Sequence, residues 1–424
     1  MGKHIFCGAS PSRRRFLSLA AGGLAAGALA LGGLVKTARD RLKNPCLSPE
    51  LPEALQDSPV LARAWEGLDP AEVWDMHAHL AGLGDSGKGL RVGSKLDSFW
   101  RPLFYAQRLF YINAGCAARE SESVDERYVA RLVEMAENTR AGFKALLLAF
   151  DWHCDEDGVP QPEKSTFYVP NEYAREVAAA HPHVFAWAAS VHPYRPDAVE
   201  RLEAAAADGA LAVKWLPATQ NIDPASARCD AFFRALARLD LPLITHCGAE
   251  KATIAGGMER FGNPLRLRRA LERGVRIVVA HCASFGNDED WDQPGTATTS
   301  FALFARLMDD SQWKGRLFGD ISAITLSNRS AEVIRALLTR ADWHDRLLNG
   351  SDYPLPGVLP IVSLTNLATS GFLSENAVAD LETLRKHNAL YFDLALKRAL
   401  SWKGQSFPAR VFATRSFFER RAYV

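Results

Sequence analysis

From residue 73 onward, short apolar runs alternate with segments whose apolar residues recur at helical spacing. Such alternation is typical of parallel βα units. The predicted strands are Val73–His79, Lys144–Phe150, Val184–Val191, Ala210–Leu216, Pro242–Thr245, Arg276–Ala280, Leu317–Ile321 and Arg346–Gly350. Eight strands separated by helical segments predict an α/β fold with a single (β/α)₈ TIM barrel.

The sequence also predicts additions to this barrel. The connection after the first strand is far longer than a usual βα loop, and its stretch 98–113 is rich in aromatic residues at helical spacing. This insertion is either a lid over the catalytic face or a helical addition that packs against the barrel wall. The expected organisation is a linker with one short helix at 36–72, the barrel at 73–396 with its insertion at about 80–143, and a helical C-terminal extension at 397–424.

Residues 1–35 have the composition of a targeting segment. Three arginines, Arg13 to Arg15, precede Phe16 and an uncharged stretch rich in Gly and Ala that ends at Val35. A basic region followed by a moderately apolar one is typical of a signal peptide, and this one resembles a bacterial twin-arginine signal. We therefore expect the twin-arginine export machinery to be a partner and the periplasm to be the destination. An uncleaved membrane anchor is the alternative.

The bulk composition is that of a globular protein, with 48% hydrophobic and 23% charged residues. A formal net charge of +1 gives no support to a nucleic-acid partner, so we expect a small-molecule substrate, and a homo-oligomer as the assembly. The seven cysteines contain no C-x-x-C pair, which argues against a thiolate zinc site and against a disulfide framework. An oxidising periplasm permits a disulfide, but the spacing does not choose its partners.

Polar residues stand at or beside the ends of several predicted strands. They are His77, His79, Lys214, His246, His281 and Asp352. The interval from Lys214 to His246 is 32 residues, the next to His281 is 35, and the last to Asp352 is 71, which is close to two such intervals. A barrel brings residues at the carboxyl ends of its strands to one face. We expect these six side chains to meet there.

Their chemistry points to a divalent metal. His77 and His79 are two residues apart on one strand, so both side chains project to the same face. Neutral imidazoles suit zinc, iron, nickel or manganese. The sequence therefore predicts a site for one or two ions per chain, with zinc the first choice.

The motifs around these residues resemble those of the amidohydrolase superfamily. They are Asp75-x-His77-x-His79, Lys214 in AVKWLP, His246 in ITHCG, His281 in VVAHC and Asp352 in NGSDYP. The nearest branch is the amidohydrolase-2 type, which includes mononuclear-metal decarboxylases and assorted hydrolases.

The resemblance implies a role for each residue. His77, His79 and His246 are expected to be metal ligands. Asp352 is expected to bind metal and take a proton from the attacking water, while His281 binds a second ion or polarises the substrate carbonyl. Lys214 is either carbamylated, so that it bridges two ions, or an uncarbamylated lysine that pairs with a carboxylate or binds substrate.

We expect a hydrolase that uses metal-activated water to attack an amide, ester or lactone carbonyl. The first alternative is a non-oxidative decarboxylase on the same scaffold, and the second is a non-catalytic envelope metal-binding protein. An arginine that grips a carboxylate in the barrel mouth would favour the decarboxylase. The arginines considered for that role are Arg101, Arg108, Arg119 and Arg195.

Aromatic residues and further histidines follow the ligand positions or the second and third strands. They are Trp152, His153, His192, Trp215 and Tyr353. They suggest a pocket for an apolar or aromatic substrate, while the alternative is that they only pack the loops.

Overall fold

The computed structural model describes residues 43–98, 100–117, 123–251, 253 and 256–419. The predicted targeting segment, residues 1–35, lies outside the described residues. Within the described ranges, no helix combines the length and the apolar character needed to cross a bilayer.

Eight parallel strands form the barrel. They are β1 Trp74–His79, β2 Lys144–Leu148, β3 Phe185–Ala188, β4 Val213–Trp215, β5 Leu243–His246, β6 Ile277–Ala280, β7 Leu317–Asp320 and β8 Leu347–Leu348. Strands β1 to β3 pair in order, as do β4 to β8. Parallel bridges from Ala189 to Val213 and from Ala78 to Tyr353 connect the two groups and close the ring. The predicted (β/α)₈ barrel is confirmed.

Helices surround this ring, and two small antiparallel ribbons decorate its loops. The helices are α1 Glu53–Gln56, α2 Pro59–Trp65, α3 Ser94–Asp97, α4 Pro102–Ala114, α5 Val124–Glu137, α6 Asn171–Ala180, α7 Ala198–Ala207, α8 Pro217–Gln220, α9 Asp230–Arg238, α10 Arg268–Glu272, α11 Ser300–Asp309, α12 Ala331–Thr339, α13 Leu364–Thr369, α14 Glu375–His387, α15 Ala389–Ala399 and α16 Arg415–Phe418. The ribbons pair Arg91–Val92 with Phe167–Tyr168 and Asn287–Glu289 with Ala297–Thr299.

Apolar side chains fill the interior of the barrel. The buried cluster contains Met76, Leu146, Leu148, Ala188, Ala212, Ile244, Val278, Leu348 and Phe418. Phe418 comes from the C-terminal extension, and its ring stacks on Trp74 with the centroids 6.1 Å apart. The extension therefore covers the amino end of the barrel, which leaves the carboxyl ends of the strands for the site.

Strand β1 contains an irregularity that shapes the site. Asp75 pairs with Ala145, but Ala78 pairs with Leu147, so β1 has one residue more than β2 over this interval. An extra residue of this kind is a β-bulge, and it re-aims the side chains next to it. Met76 can therefore fill the barrel interior while the adjacent His77 points into the catalytic mouth.

A disulfide ties the N-terminal segment to the insertion. Cys46 and Cys116 are bonded, and their Cα atoms lie 5.6 Å apart. The Asn113 side chain reinforces the contact, because its Oδ1 accepts from the backbone amide of Asn44 and its Nδ2 donates to the carbonyl of Asn44. Residues 44–46, which the sequence assigned to a linker, are thus fixed beside the end of α4.

Candidate functional site

The strand ends bring four of the predicted side chains into one cluster. His77 Nε2 lies 3.2 Å from His79 Nε2 and 3.5 Å from Asp352 Oδ1. Asp352 Oδ1 is also 3.3 Å from His79 Nε2, and its other oxygen is 3.7 Å from His281 Nε2. Residues from β1 and from the ends of β6 and β8, far apart in sequence, therefore share one small volume.

Lys214 joins the cluster from β4. Its Nζ lies 2.9 Å from His77 Nε2, and the side chain is almost fully buried. Burial lowers the pKa of Lys214 below its usual value, although the carboxylates of Asp320 and Asp352 oppose that shift. Burial therefore favours the neutral amine, the form that reacts with carbon dioxide to give a carbamate.

His246 occupies the end of β5, next to His281, with their ring centroids 5.4 Å apart. Its Nδ1 is 3.4 Å from a carboxylate oxygen of Glu250, four residues further along the chain. Its Nε2 is buried and has no hydrogen-bond partner among the described residues. A buried ring nitrogen without a partner is costly unless a ligand satisfies it.

Asp320, at the end of β7, fixes the orientation of two histidines. Its Oδ2 accepts a hydrogen bond from His77 Nδ1 at 2.9 Å, and its Oδ1 accepts one from the backbone amide of His281 at 2.9 Å. The Ser322 hydroxyl donates to Asp320 and accepts from His281 Nδ1 at 2.7 Å. Since both Nδ1 atoms carry the proton, both Nε2 atoms offer a lone pair to the cluster.

The backbone is constrained at the same place. His281 and Asp352 have φ angles of 55° and 59°, in the left-handed region that residues with a Cβ rarely adopt. The amide of Asp352 donates to the carbonyl of His77 at 2.8 Å, which holds it there. Gly350 is required beside this turn, because a Cβ on it would lie 2.7 Å from the Cβ of His77. Such conformations concentrate at functional sites.

The protonation states match those that a metal needs. Burial lowers the pKa of His77 to about 4 and that of His281 well below its usual value, so both rings are neutral at pH 7. Burial raises the pKa of Asp352, but the histidines around it lower it further than burial raises it, so the carboxylate is ionised. One ligand atom each from His77, His281 and Asp352 all lie within 4.8 Å of one another. These residues therefore fit a divalent ion.

A cavity of about 590 Å³ opens above this cluster. Its apolar walls include Phe110, Phe150, Phe167, Leu216 and Phe285. Helix α4 of the insertion closes one side through its stretch 106–111, and Gln107 Nε2 donates to the carbonyl of Lys251 on the opposite loop at 3.0 Å. The aromatic insertion therefore forms part of the cavity wall.

The five residues expected to contact substrate lie elsewhere, and none of them is among the described residues that line this cavity. Trp215 and Tyr353 each follow a cluster residue directly. Trp215 packs on Phe232, 5.3 Å between centroids, and Tyr353 packs on Tyr128 at 5.5 Å. Consecutive side chains of a strand point to opposite faces, which explains why Trp215, next to Lys214 on β4, points away from the cavity. Tyr353 follows the left-handed turn at Asp352, and that turn changes the direction of the chain.

The other three residues, Trp152, His153 and His192, lie in the loops after β2 and β3 and contact neighbouring residues there. Trp152 stacks on Tyr168, with the ring centroids 3.8 Å apart. His153 Nδ1 donates to the carbonyl of Thr219 at 2.9 Å, and His192 Nε2 donates to the carbonyl of Gln220 at 2.8 Å. Both histidines thus support the backbone around α8.

Asp320, Glu250 and Arg329 are among the cluster and cavity residues that do not follow from the sequence argument. Asp320 carries a signal that was available, because it ends the apolar run LFGD in the same way that Asp352 follows RLLNGS. Glu250 and Arg329 lie in loops and show no such spacing. Four arginines were considered as carboxylate ligands in the barrel mouth. Arg119 lies outside the described residues, and Arg101, Arg108 and Arg195 do not line the cavity.

Comparison with solved structures finds barrels of low sequence identity. An uncharacterised TIM-barrel protein from Bordetella bronchiseptica is 17% identical, with a TM-score of 0.43, over 74% of this chain and 99% of that one. A probable 2-pyrone-4,6-dicarboxylic acid hydrolase from Acinetobacter baumannii, with citric acid bound, is 13% identical, with a TM-score of 0.40, over 74% and 92%. A 5-carboxyvanillate decarboxylase from Novosphingobium aromaticivorans, complexed with manganese and a nitrobenzoic acid, is 14% identical, with a TM-score of 0.44, over 82% and 96%.

No curated protein matches the chain in sequence. The family model described as amidohydrolase matches residues 74–390, which run from the start of β1 into α15 and include every residue of the cluster. That match covers well over half of the chain. This protein therefore belongs to the amidohydrolase family, as a metal-dependent enzyme on a (β/α)₈ barrel.

Proposed function

We propose that this enzyme hydrolyses an amide, ester or lactone of a small molecule with the aid of a bound divalent metal. The observation that carries the proposal is the cluster of His77, His79, His281 and Asp352, whose ligand atoms are separated by 3.2 to 3.7 Å along its contacts. It lies at the bottom of an apolar cavity large enough for a small-molecule substrate.

His77, His281 and Asp352 would hold one ion together with His79, and His246 stands next to them. This mixture of imidazole and carboxylate donors suits zinc, which is our first choice, and also accepts manganese. When bound, the ion supplies Lewis-acid chemistry, since it polarises a carbonyl oxygen and makes a water molecule more acidic.

The residues of the chain itself transfer the proton and orient the groups around the reacting carbonyl. Asp352 is ionised and faces the cavity, so it can accept a proton from the attacking water and return it to the leaving group. Asp320 and Ser322 keep His77 and His281 in one tautomer. His246 presents its buried Nε2, which has no hydrogen-bond partner among the described residues, so it is available as a further metal ligand.

The number of ions depends on Lys214. As the free amine, Lys214 contacts the nitrogen of His77 that a metal would use. Addition of carbon dioxide to that amine, with loss of a proton, creates a carboxylate that can bridge two ions. Elemental analysis separates the two forms, because one metal per chain supports the free amine and two per chain support the carbamate.

The hydrolase proposal is tested on protein purified without added metal or chelator. We expect at least one divalent ion per chain and turnover of a member of a panel of amides, esters and lactones. Asp352→Asn is the matched variant, since it keeps the shape of the side chain and removes the proton acceptor. Absence of metal after attempted reconstitution, or equal turnover by wild type and Asp352→Asn, contradicts the proposal.

Decarboxylation is the second candidate, and one observation favours it. Arg329 lines the cavity and can hold a carboxylate. Carbon dioxide release from aromatic carboxylic acids, measured with the same metal-loaded protein, separates the two reactions. Release of carbon dioxide without hydrolysis of any panel member would favour the decarboxylase.

We propose that the protein is exported to the periplasm by a twin-arginine signal. The disulfide between Cys46 and Cys116 supports an oxidising compartment, because disulfides persist there and are rare in the cytosol. Cell fractionation of the full chain and of an Arg13→Lys, Arg14→Lys variant tests this. Wild type in the periplasm with the variant retained in the cytoplasm is the expected result, and equal cytoplasmic retention contradicts it.

A further inference from the structure

Arg329 is a cation in the cavity wall that makes no ion pair with any described residue. It belongs to the loop that follows β7, and it lines the cavity together with His281 and Asp352. Its Nε is buried, and no described residue makes a hydrogen bond or an ion pair with its side chain. In contrast, surface arginines such as Arg306 and Arg340 each make two ion pairs with aspartates.

The position of Arg329 is nevertheless fixed. Its guanidinium carbon lies 5.0 Å from the centroid of the Phe285 ring, a cation–π contact that restricts the side chain without neutralising it. Burial lowers the pKa of Arg329 below its usual value, against the opposing effect of Asp352 and Glu250. Arginine stays charged even so. An oriented and partly desolvated cation that makes no direct ion pair is costly, and an anionic ligand reduces that cost.

The rest of the cavity limits what such an anion can be. Phe110, Phe150 and Phe167 provide apolar walls that suit an aromatic or similarly apolar body. Two carboxylates, those of Glu250 and Asp352, also line the cavity. They disfavour a doubly charged group such as a phosphate next to a single arginine, whereas a carboxylate carries one charge and matches the planar guanidinium.

We propose that Arg329 binds the carboxylate of the substrate, and that the apolar body of the substrate lies against the phenylalanine walls while its reacting group reaches the cluster of His77, His281 and Asp352. This inference rests on the proposed function, since it describes the substrate of the same site. It holds for hydrolysis of a carboxylate-bearing ester, amide or lactone, and it makes Arg329 a specificity determinant in either reaction.

The test uses 2-naphthoate and its uncharged counterpart 2-naphthamide as probes. Calorimetric titration of the metal-loaded enzyme should show tighter binding of naphthoate. Arg329→Met should weaken naphthoate binding by about tenfold or more, because a charge-assisted hydrogen bond is lost, and should change naphthamide binding by less than about threefold. Arg329→Lys keeps the positive charge but lacks the paired N–H donors of the guanidinium group, so it should give an intermediate affinity for naphthoate.

Arg335→Met is the matched control. Arg335 lies six residues along the chain, and its guanidinium carbon is 4.8 Å from the Trp402 ring centroid, away from the cavity. We expect this variant to bind both probes as wild type does. Thermal unfolding of all variants checks that each one is folded.

Three results would overturn the inference: no binding of naphthoate to wild type, equal naphthoate affinity in wild type and Arg329→Met, or equal losses for both probes. Metal content is measured on the same samples. Full metal content with no effect of Arg329→Met rejects the carboxylate contact and leaves the hydrolase proposal standing. Metal-free protein that still loses naphthoate selectively in Arg329→Met rejects the hydrolase proposal and keeps the contact.

Discussion

Two regions at the barrel mouth carry buried histidines after apolar strands but differ in their hydrogen bonding. The first is the cluster that contains His77 and His281, and the second is the loop after β3 that contains His192. His77 and His281 each donate Nδ1 to Asp320 or Ser322 and turn Nε2 towards the cavity. His192, after β3, accepts from the amide of Tyr194 with Nδ1 and donates to Gln220 with Nε2.

Both kinds of histidine are buried, and burial lowers the pKa of His77 and of His192 alike to about 4. Burial and a shifted pKa therefore do not separate a ligand from a structural histidine. The difference lies in the second ring nitrogen, which is available for a metal in one region and occupied by backbone in the other.

The sharpest test of the first region replaces its carboxylate. Asp352→Asn should lower kcat by about a thousandfold or more, because proton transfer and charge stabilisation are lost together. Steady-state kinetics and elemental analysis measure the two effects on one preparation. Full turnover with full metal content would remove Asp352 from the mechanism.

A smaller effect is expected from the residue behind the histidines. Asp320→Asn can no longer hold the same tautomer of His77, so metal affinity should fall by about ten- to a hundredfold. Competition with a chelator of known affinity measures it. Asp345→Asn, on the surface, is the control and should not change metal affinity. Unchanged affinity in Asp320→Asn would show that the contact with His77 does not tune the site.

The second region should respond in stability and not in metal binding. His192→Ala leaves the Gln220 carbonyl without its donor and should lower the free energy of unfolding by about 1 to 3 kcal/mol. Denaturant titration measures the loss, and His183→Ala, an exposed histidine paired with Glu137, is the control. Loss of metal in His192→Ala would contradict the separation of the two regions.

The same variant has a predicted pH dependence. Because the pKa of His192 is near 4 when folded and near 6.5 when unfolded, the unfolded chain binds more protons between these values. The stability contributed by His192 is thus complete above pH 6.5 and is lost as pH falls towards 4, with a slope of up to about 1.4 kcal/mol per pH unit. The difference between wild type and His192→Ala should shrink over that range. A constant difference would contradict it.

The smallest effect is expected for Trp152, whose ring stacks on Tyr168 outside the cavity wall. Trp152→Leu should change KM by less than about threefold, since it removes no contact with the cavity. A large rise in KM without a loss of stability would place Trp152 against substrate, as its sequence position suggested.

Much of the site could be predicted because strand alternation and the βα repeat are local properties. His77, His79, His281 and Asp352 each stand at or just beyond the end of an apolar run, and parallel strands bring such ends to one face whatever the loops do. Trp215 and Tyr353 directly follow cluster residues, yet both lie outside the cavity wall. Alternation along β4 turns Trp215 to the face opposite Lys214, and Tyr353 follows the left-handed turn at Asp352 and packs on Tyr128.

By itself, the sequence determined the barrel, the face that carries the chemistry and the residues that could bind a metal. Only the tertiary structure decided which nitrogen of each histidine is available, because the answer depends on Asp320 and Ser322, which are distant in sequence. The bulge between Asp75 and Ala78, the bond between Cys46 and Cys116, and the lack of an ion pair from Arg329 to any described residue were decided in the same way. Each depends on what lies opposite in space, and the local apolar pattern does not encode that.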